Sequence, residues 1–225
     1  MHELVVDFWG DFACFTPPWG KVERMTYPFP TPSAARGMLS SIYSKPKEFY
    51  WQINRIEVLN PISQIEVPSP IRYISFKRNE VKSKVSGNDY LYTEDDRTQR
   101  QTVALKDVYY RIAASIIPRP DYSGSERQLY EQAQRRIRAG KCYVQPSLGL
   151  KEFVAYFGEA DESAAPIAED LDAGLMVYDV FDLDDSSVKR KTTPQLSLFH
   201  AVMRSGVIQV PSWDSPEVLK GGTVC

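Results

Sequence analysis

The clearest structural signal in the chain is the stretch Pro30-Thr31-Pro32-Ser33-Ala34-Ala35-Arg36-Gly37-Met38-Leu39-Ser40-Ser41-Ile42-Tyr43. Thr31 can cap a helix, and Pro32 suits the first helical position because the donor that proline lacks would be unpaired there. At about 100° per residue, one apolar face forms from Ala35, Met38, Leu39 and Ile42. The stretch therefore predicts a helix over 32–43 that packs against a core.

A polar stripe follows one edge of that apolar face. Its members, Arg36, Ser40 and Tyr43, are spaced at i, i+4 and i+7 and so share one side of the helix. A guanidinium, a hydroxyl and a phenol side by side could hold a phosphate and act on a neighbouring hydroxyl. The plainer interpretation is a half-exposed helix edge with polar residues, which is normal for a surface helix.

Hydrophobic periodicity on either side of this helix predicts a mixed order of strands and helices. The predicted elements are a strand over 3–9, an aromatic loop over 10–20, a strand over 50–59, a strand over 103–117, a helix over 124–138, extended structure over 141–157, a strand over 175–181, a short final segment around 199–203 and a loose tail over 212–225. This order favours an α+β fold with a ferredoxin-like, RRM-like core. Such a core displays a sheet face suited to single-stranded RNA.

Composition divides the chain into two predicted parts. Residues 1–158 are predicted to form the ferredoxin-like domain, which includes a protruding basic β-hairpin over 62–101. Residues 159–225 are predicted to hold an acidic linker (159–173), the final strand and a C-terminal segment. Between 72 and 84, aromatic residues alternate with cations, as in nucleic-acid surfaces that stack bases and neutralise phosphates. A solvated hairpin is the alternative.

The net charge of −2 conceals a strong asymmetry between those two parts. Residues 1–158 carry 22 Lys and Arg against 17 Asp and Glu, whereas residues 159–185 carry ten acids and no Lys or Arg. Because binding depends on local potential, an acidic average does not exclude a polyanionic partner. Patches that only keep the protein in solution are the competing interpretation.

Several classes of protein are disfavoured by what the sequence lacks. No segment approaches the roughly 20 apolar residues that cross a bilayer, and the N-terminus does not resemble an export signal. Cys14, Cys142 and Cys225 form no Cys-x-x-Cys pair and are interpreted as reduced thiols of a cytoplasmic protein. Neither a nucleotide-binding glycine motif nor a metal-ligand spacing occurs, so no cofactor or metal is expected. His200 lies on an apolar segment and is interpreted as a buried core histidine.

The remaining chemistry needs only a tyrosine and cations. In RNA strand cleavage the attacking group is the substrate's own 2′-hydroxyl, so the protein must align the phosphate, neutralise its charge and help a proton leave. A phenol is a poor base at neutral pH unless nearby cations lower its pKa. The sequence suggests that Arg36 acts in this way on Tyr43.

A series of short motifs resembles the fifth CRISPR-associated (Cas) protein of type I-C systems. The motifs are Phe12-Ala13-Cys14-Phe15-Thr16, Lys21-Val22-Glu23-Arg24, Thr31-Pro32-Ser33-Ala34-Ala35-Arg36-Gly37, Ile42-Tyr43-x-Lys45-Pro46, Arg55-Ile56-x-Val58-Leu59, Lys77-Arg78-Asn79-Glu80-Val81, Gln145-Pro146-x-Leu148-Gly149, Lys151-Glu152-Phe153 and Ala201-Val202-Met203-x-x-Gly206. They occur in this order from about residue 4 to residue 211.

The resemblance implies a RAMP-type fold, in which a ferredoxin-like domain with a protruding basic hairpin is followed by a small C-terminal β region. It also implies a subunit of a Cascade surveillance complex. It implies binding to the 5′ handle of crRNA, metal-independent cleavage of pre-crRNA within its repeats, contacts with the backbone and large Cascade subunits, and contact with target DNA near the protospacer-adjacent motif. Tyr43 is the catalytic residue that it implies. The candidate RNA-binding residues are Arg24, Arg36, Lys45, Lys77, Arg78, Lys82, Lys84, Arg127, Arg135, Arg136 and Arg138.

One motif of that family is not matched. The family's Lys-His pair would fall at Gln128 and Leu129, which can supply neither a cation nor an imidazole, and Arg127 is the nearby residue with a charge. Two functions therefore remain possible from the sequence. The first is an active processing ribonuclease, and the second is a structural subunit that caps the RNA without cutting it.

Overall fold

One antiparallel sheet organises the chain. A computed structural model describes residues 2–20, 23–60, 71–81, 97–184 and 196–221, with the backbone alone described for residues 78–81 and 97–98. The strands are β1 (Glu3–Ala13), β2 (Phe49–Val58), β3 (Arg72–Val81), β4 (Arg97–Pro118), β5 (Tyr156–Glu159), β6 (Leu171–Asp179), β7 (Ser197–Arg204), β8 (Val207–Gln209) and β9 (Leu219–Lys220). The sheet order is β5-β1-β4-β2-β8-β7-β6, with β3 paired to β4 and β9 to β7.

The first helix, α1 (Pro32–Ile42), confirms the prediction made from its capping residues. The Thr31 hydroxyl accepts a hydrogen bond from the Ala34 amide at 3.1 Å, which satisfies an amide that the helix leaves unpaired. The predicted apolar face is buried against the sheet. Tyr43 follows the last helical turn with extended dihedral angles, so the helix ends one residue earlier than predicted.

The second helix, α2 (Glu126–Arg138), is also confirmed, and it buries Leu129, Ala133 and Ile137. Its last turn is strongly basic, which is favourable beside the negative end of a helix dipole. Arg138 pairs with Glu159, which lies opposite Val6 in the β1–β5 ladder. Paired residues of a ladder point to one face, so α2 covers the sheet face that carries Val6.

The opposite sheet face is crossed by residues 159–170, which we call the acidic strap. Asp7 and Arg111 hold the strap in place: the Asp161 amide donates to Asp7 at 2.9 Å, and Arg111 donates to the carbonyls of Asp161 and Ala164 at 2.6 and 3.2 Å. Further along, the Ile167 amide donates to the Val58 carbonyl at 2.9 Å. The predicted acidic linker is therefore fixed across three strands.

Several predicted boundaries were wrong. Of the predicted extended structure over 141–157, only the end belongs to a strand, β5, and β4 starts before residue 103. β1 continues four residues beyond 3–9, because residues up to Ala13 pair with β4 and are part of the sheet rather than a loop. β6 starts at Leu171, inside the predicted linker. The described part of the predicted loose tail is anchored, since Trp213 is 4% exposed and its indole donates to Asp184 at 2.8 Å.

The predicted hairpin segment is partly described. β3 pairs in antiparallel register with β4, from Arg72 opposite Lys106 to Val81 opposite Arg97. Residues 61–70 and 82–96, and with them Lys82 and Lys84, lie outside the described residues, as does Cys225. Among the described helices, neither α1 nor α2 is long and apolar enough to cross a bilayer.

Candidate nucleic-acid interface

Tyr43 sits where the C-terminal ends of α1 and α2 meet. Its carbonyl accepts a hydrogen bond from the Trp51 indole at 2.8 Å, and its ring stacks on Phe49 with the centroids 5.3 Å apart. The Tyr43 hydroxyl donates to the side-chain oxygen of Gln132 on α2 at 3.0 Å. The backbone and the ring of Tyr43 are therefore fixed from β2, and its hydroxyl is directed at α2.

The Tyr43 hydroxyl is buried, and its hydrogen-bond acceptor Gln132 is the more exposed of the two residues. The Tyr43 residue is 1% exposed, whereas Gln132 is half-buried and reaches the surface. A substrate oxygen that contacts the phenol has to replace Gln132 as its hydrogen-bond acceptor, which breaks one hydrogen bond. Such a bond contributes about 0.5–1.5 kcal/mol, so displacement by a bound substrate is energetically accessible.

The environment of Tyr43 favours the protonated phenol. Burial raises the pKa of the Tyr43 hydroxyl above its ordinary value of 10.0, although the nearby Lys45 ammonium acts in the opposite direction. Lys45 itself is held by a hydrogen bond to Glu48, which raises the pKa of Lys45 and keeps it charged. At neutral pH, Tyr43 is therefore protonated, and its hydroxyl donates a hydrogen bond.

We expect Tyr43 to be less than half ionised at pH 10.0, because burial raises its pKa above that value. Because the folded-state pKa is raised, the contribution of Tyr43 to stability is complete below its unfolded value and is lost as the pH rises through the folded value. Carbon-13 NMR of labelled tyrosine, with the signal assigned by its loss in Tyr43→Phe, measures this titration. A Tyr43 signal that titrates near pH 8 would contradict it.

Arg36 does not lower the pKa of Tyr43, and that part of the sequence interpretation was wrong. The Arg36 guanidinium forms two hydrogen bonds with Asp179 of β6, at 2.7 and 2.8 Å. The Asp179 side chain is 2% exposed and also accepts from the amides of Val180 and Phe181. Arg36 thus ties α1 to β6, while Tyr43 leaves the helical stripe because its backbone is extended. Ser40, the third member of the stripe, is half-buried.

Arg136 of α2 lies next to Tyr43 and supplies the nearby arginine that was predicted from the sequence to be Arg36. Its Nε atom donates to the Ile42 carbonyl at 2.7 Å, which satisfies one of the free carbonyls at the end of α1. Its guanidinium lies over the ring of Tyr143, 4.0 Å from the centroid. Arg136 therefore joins the two helix ends and brings a cation to the corner that holds Tyr43.

Most other candidate cations lie on the surface in ion pairs. Four such pairs join partners within 2.9 Å: Arg24 with Glu152, Lys45 with Glu48, Arg127 with Glu131, and Arg138 with Glu159. Exposed pairs contribute about 0–1 kcal/mol, so these cations can exchange a carboxylate for a phosphate at small cost.

Two further candidates stand out for their exposure. Lys77 is exposed on β3, and Arg135 is exposed on α2, where no carboxylate among the described residues pairs with it. Arg78 lies opposite Arg100 in the β3–β4 ladder. The predicted residues are therefore distributed over β3 and the two helices and are not gathered in one cluster.

A groove of about 870 Å³ runs along the outer side of α1. Ser33, Gly37 and Ser41 line it from the helix, and the loop over 147–150 lines the opposite wall. Gly149 in that wall has a φ of +86°, and a methyl group there would collide with the carbonyl of Cys14. Since Ser41 also contacts Tyr143, the groove ends beside the corner that holds Tyr43.

His200 is not a core residue, so the sequence interpretation was wrong. The strand alternation of β7 buries Phe199 and Ala201 and turns His200 outward. Its Nε2 atom lies 2.8 Å from Asp172 on the neighbouring strand β6, with both side chains more than half exposed. His200 is therefore far from the α1–α2 corner in the sheet order, at the β6–β7 edge.

Solved structures with the same architecture include CRISPR-associated proteins. A chain described as a CRISPR-associated protein aligns with a TM-score of 0.64 at 19% identity, over 96% of both chains. A functionally uncharacterized protein from Streptococcus mutans aligns with a TM-score of 0.63 at 20% identity, again over 96% of both chains. At this identity the likeness defines a shared fold: two helices with a large antiparallel sheet.

The family follows from sequence comparison. The chain belongs to the Cas5 family of CRISPR-associated proteins, whose Cas5d model matches residues 3–211. A CRISPR pre-crRNA endoribonuclease Cas5d from Thermus thermophilus is 36% identical over 223 residues, which cover 94% of this chain and 93% of that protein. A protein of the same name from Mannheimia succiniciproducens is 37% identical over 239 residues, which cover 96% and 98%. The family resemblance seen in the motifs is confirmed.

Sequence reasoning missed Gln132, Tyr143 and Asp179. Gln132 and Arg136 are spaced i, i+4 beside the apolar face of α2, so a helical projection of α2 could have shown that both flank its buried side. No periodic pattern in the sequence indicates that Tyr143 and Asp179 contact Arg136 and Arg36, because Asp179 is distant from Arg36 in the chain and Tyr143 lies outside both helices.

Proposed function

We propose that this chain is a pre-crRNA endoribonuclease that stays on its product, as the subunit bound to the 5′ handle of crRNA in a type I-C Cascade complex. The observation that carries the proposal is its similarity, over almost the whole chain, to two curated pre-crRNA endoribonucleases. The corner around Tyr43 supports it, because a fixed phenol and several cations are the groups that metal-independent RNA cleavage requires.

In the proposed reaction, the 2′-oxygen of the RNA attacks the adjacent phosphorus and the bond to the 5′-oxygen breaks. The products are a 2′,3′-cyclic phosphate and a 5′-hydroxyl. The 2′-proton goes to solvent, and Tyr43 gives its proton to the departing 5′-oxygen and then regains one from water. A phenol with a raised pKa suits this role, since it is protonated at neutral pH and the leaving alkoxide is a stronger base. Arg136 and Lys45 stabilise the charge on the phosphate.

The proposed RNA-binding surface extends from this corner to β3. Its cations are the candidates from the sequence, namely Arg24, Arg36, Lys45, Lys77, Arg78, Lys82, Lys84, Arg127, Arg135, Arg136 and Arg138. Arg36 contributes least in this proposal, because its guanidinium already holds Asp179. The exposed cations contribute most, since they contact phosphates without breaking a buried interaction.

The finer description of the fold belongs to the same proposal. We infer a RAMP-type ferredoxin-like domain over 1–158 with a protruding basic β-hairpin over 62–101, followed by a smaller C-terminal part over 159–225. The proposed partners are pre-crRNA and crRNA, the backbone and large Cascade subunits, and target DNA near the protospacer-adjacent motif. The proposed site of action is the cytoplasm, where CRISPR effectors meet their RNA.

Incubation of the purified protein with its repeat RNA in EDTA tests the activity. We expect one defined cut with a 2′,3′-cyclic phosphate on the upstream fragment. RNA binding without any cut would support a subunit that only caps the handle, and absence of binding at low salt would contradict the whole proposal.

Charge reversal of the hairpin tests the binding surface. Exchange of Lys77, Arg78 and Lys84 for Glu should weaken RNA binding and flatten its dependence on salt, because fewer counterions are released. Each lost phosphate contact on single-stranded RNA lowers the salt slope by about 0.7. The affinity is measured over a series of salt concentrations, with Lys220→Glu at the far edge of the sheet as the control. Unchanged affinity and slope would exclude the hairpin from the interface.

A further inference from the structure

Tyr143 is an exposed aromatic residue that the fold holds rigidly. Its residue is 55% exposed, and its backbone amide donates to the Ser41 carbonyl near the end of α1 at 2.8 Å. The next residue, Val144, donates to the same carbonyl at 3.3 Å and is 67% exposed. Tyr143 and Val144 therefore present two adjacent apolar side chains to solvent on a backbone that is fixed to the end of α1.

One face of the Tyr143 ring is already occupied. The Arg136 guanidinium lies 4.0 Å from the ring centroid and is itself fixed by its hydrogen bond to Ile42. With that face covered, the exposed area belongs to the other face and the edge of the ring. The ring is therefore one layer of a stack that has space for another planar group.

The charges around Tyr143 favour an anionic ligand. Arg135, Arg136 and Lys141 lie within eight residues of it in sequence, and Arg135 and Lys141 are exposed. Arg136 also presents two further nitrogen atoms beyond the one that binds Ile42. A planar group with attached negative charge matches this set of side chains, and a nucleotide has that chemistry. Stacking on an aromatic ring suits any nucleobase, because every base has a π face.

The position of Tyr143 relates this stack to the catalytic corner. Its backbone contacts Ser41, two residues before Tyr43, and its phenol is close enough to raise the pKa of the Tyr43 hydroxyl slightly. A base stacked on Tyr143 would therefore belong to a nucleotide next to the cleaved phosphate. Such a contact fixes the RNA backbone relative to the Tyr43 hydroxyl.

We infer that Tyr143, backed by Arg136, is a stacking site for an unpaired nucleobase of RNA beside the scissile phosphate. This inference rests on the proposed function and identifies how the substrate is positioned. The stack contributes through aromatic contact, whereas Lys141 and Arg135 contribute through charge. Loss of the ring should therefore change affinity without changing the salt slope.

Substitution of Tyr143 tests the inference against a matched control. Tyr143→Ala should weaken binding of the repeat RNA by about five- to 150-fold at constant salt slope, as expected for one lost base stack. Tyr143→Phe should bind like the unmodified protein, because the ring remains. The control is Tyr156→Ala on β5, which removes an aromatic side chain of the same exposure, 56%, on the strap side of the sheet.

Abasic RNA provides a second measurement, which combines a change in the RNA with the change in the protein. Single abasic sites are placed along the repeat RNA, and one position should weaken binding to the unmodified protein yet add nothing to Tyr143→Ala, because the same contact is lost in both. Equal affinities of Tyr143→Ala and the unmodified protein, or strictly additive effects at every position, would overturn the inference. Failure of the unmodified protein to bind any repeat RNA would instead overturn the proposed function.

Discussion

Tyr43→Phe should abolish cleavage of repeat RNA and leave RNA binding intact. The substitution removes the proton that the proposed mechanism delivers to the leaving oxygen, and such a group contributes about 10²–10⁴-fold to the rate. Single-turnover cleavage in EDTA measures the rate, and filter binding measures the affinity. The phenylalanine ring still stacks on Phe49, so the loss of stability is limited to one hydrogen bond, about 0.5–1.5 kcal/mol.

Tyr122→Phe is the matched control for this experiment. Tyr122 is a half-buried tyrosine near Tyr43, and its hydroxyl makes a long contact of 3.5 Å with the Ser125 carbonyl. Cleavage should persist in this variant. If Tyr43→Phe cut the RNA at the original rate, the Tyr43 phenol would take no part in the reaction. The proposed RNA-binding surface would not be affected by that result.

Asp7→Ala should be the most destabilising single substitution outside the apolar core. Asp7 is 1% exposed and accepts hydrogen bonds from Tyr109 at 2.8 Å, from Arg111 at 2.8 and 3.0 Å, and from the Asp161 amide at 2.9 Å. Its loss leaves the Arg111 side chain, 12% exposed, without its closest counter-charge. Removal of one partner from a buried pair costs about 3–5 kcal/mol.

Urea unfolding followed by circular dichroism measures this effect. The urea concentration at the unfolding midpoint should fall. The m-value, which is the slope of the unfolding free energy against urea concentration, should stay the same, since the surface exposed on unfolding does not change. The control is Asp214→Ala, because Asp214 is 85% exposed and lies 3.9 Å from Lys220, a pair expected to contribute about 0–1 kcal/mol. If the two variants were equally stable, Asp7 would not be the anchor of the acidic strap.

The two helices could be predicted from sequence because their signals are local. A cap, an initial proline and a 3.6-residue apolar period define α1 within one residue, and the same period defines the buried face of α2. The family could also be predicted, since its motifs are short and ordered along the chain. These features need no knowledge of how distant segments meet.

The surroundings of Tyr43 could not be predicted, because they depend on distant pairings. Arg36 and Asp179 are 143 residues apart, and Tyr43 and Gln132 are 89 apart. A helical projection places Arg36 beside Tyr43, but the extended backbone of Tyr43 moves its side chain to α2, and a buried carboxylate binds Arg36. Arg36 therefore does not lower the pKa of Tyr43, and burial of the phenol raises that pKa instead.

The acidic strap has a consequence for the direction from which a nucleic acid can approach. RRM domains present a bare sheet face to single-stranded RNA, whereas here a chain segment rich in Asp and Glu lies across one face of the sheet. Phosphate groups are repelled there, and the repulsion increases as salt is diluted. We therefore expect a transcript to approach from the corner where α1 and α2 end and from β3, whereas the strap side of the sheet favours neighbours that carry positive charge.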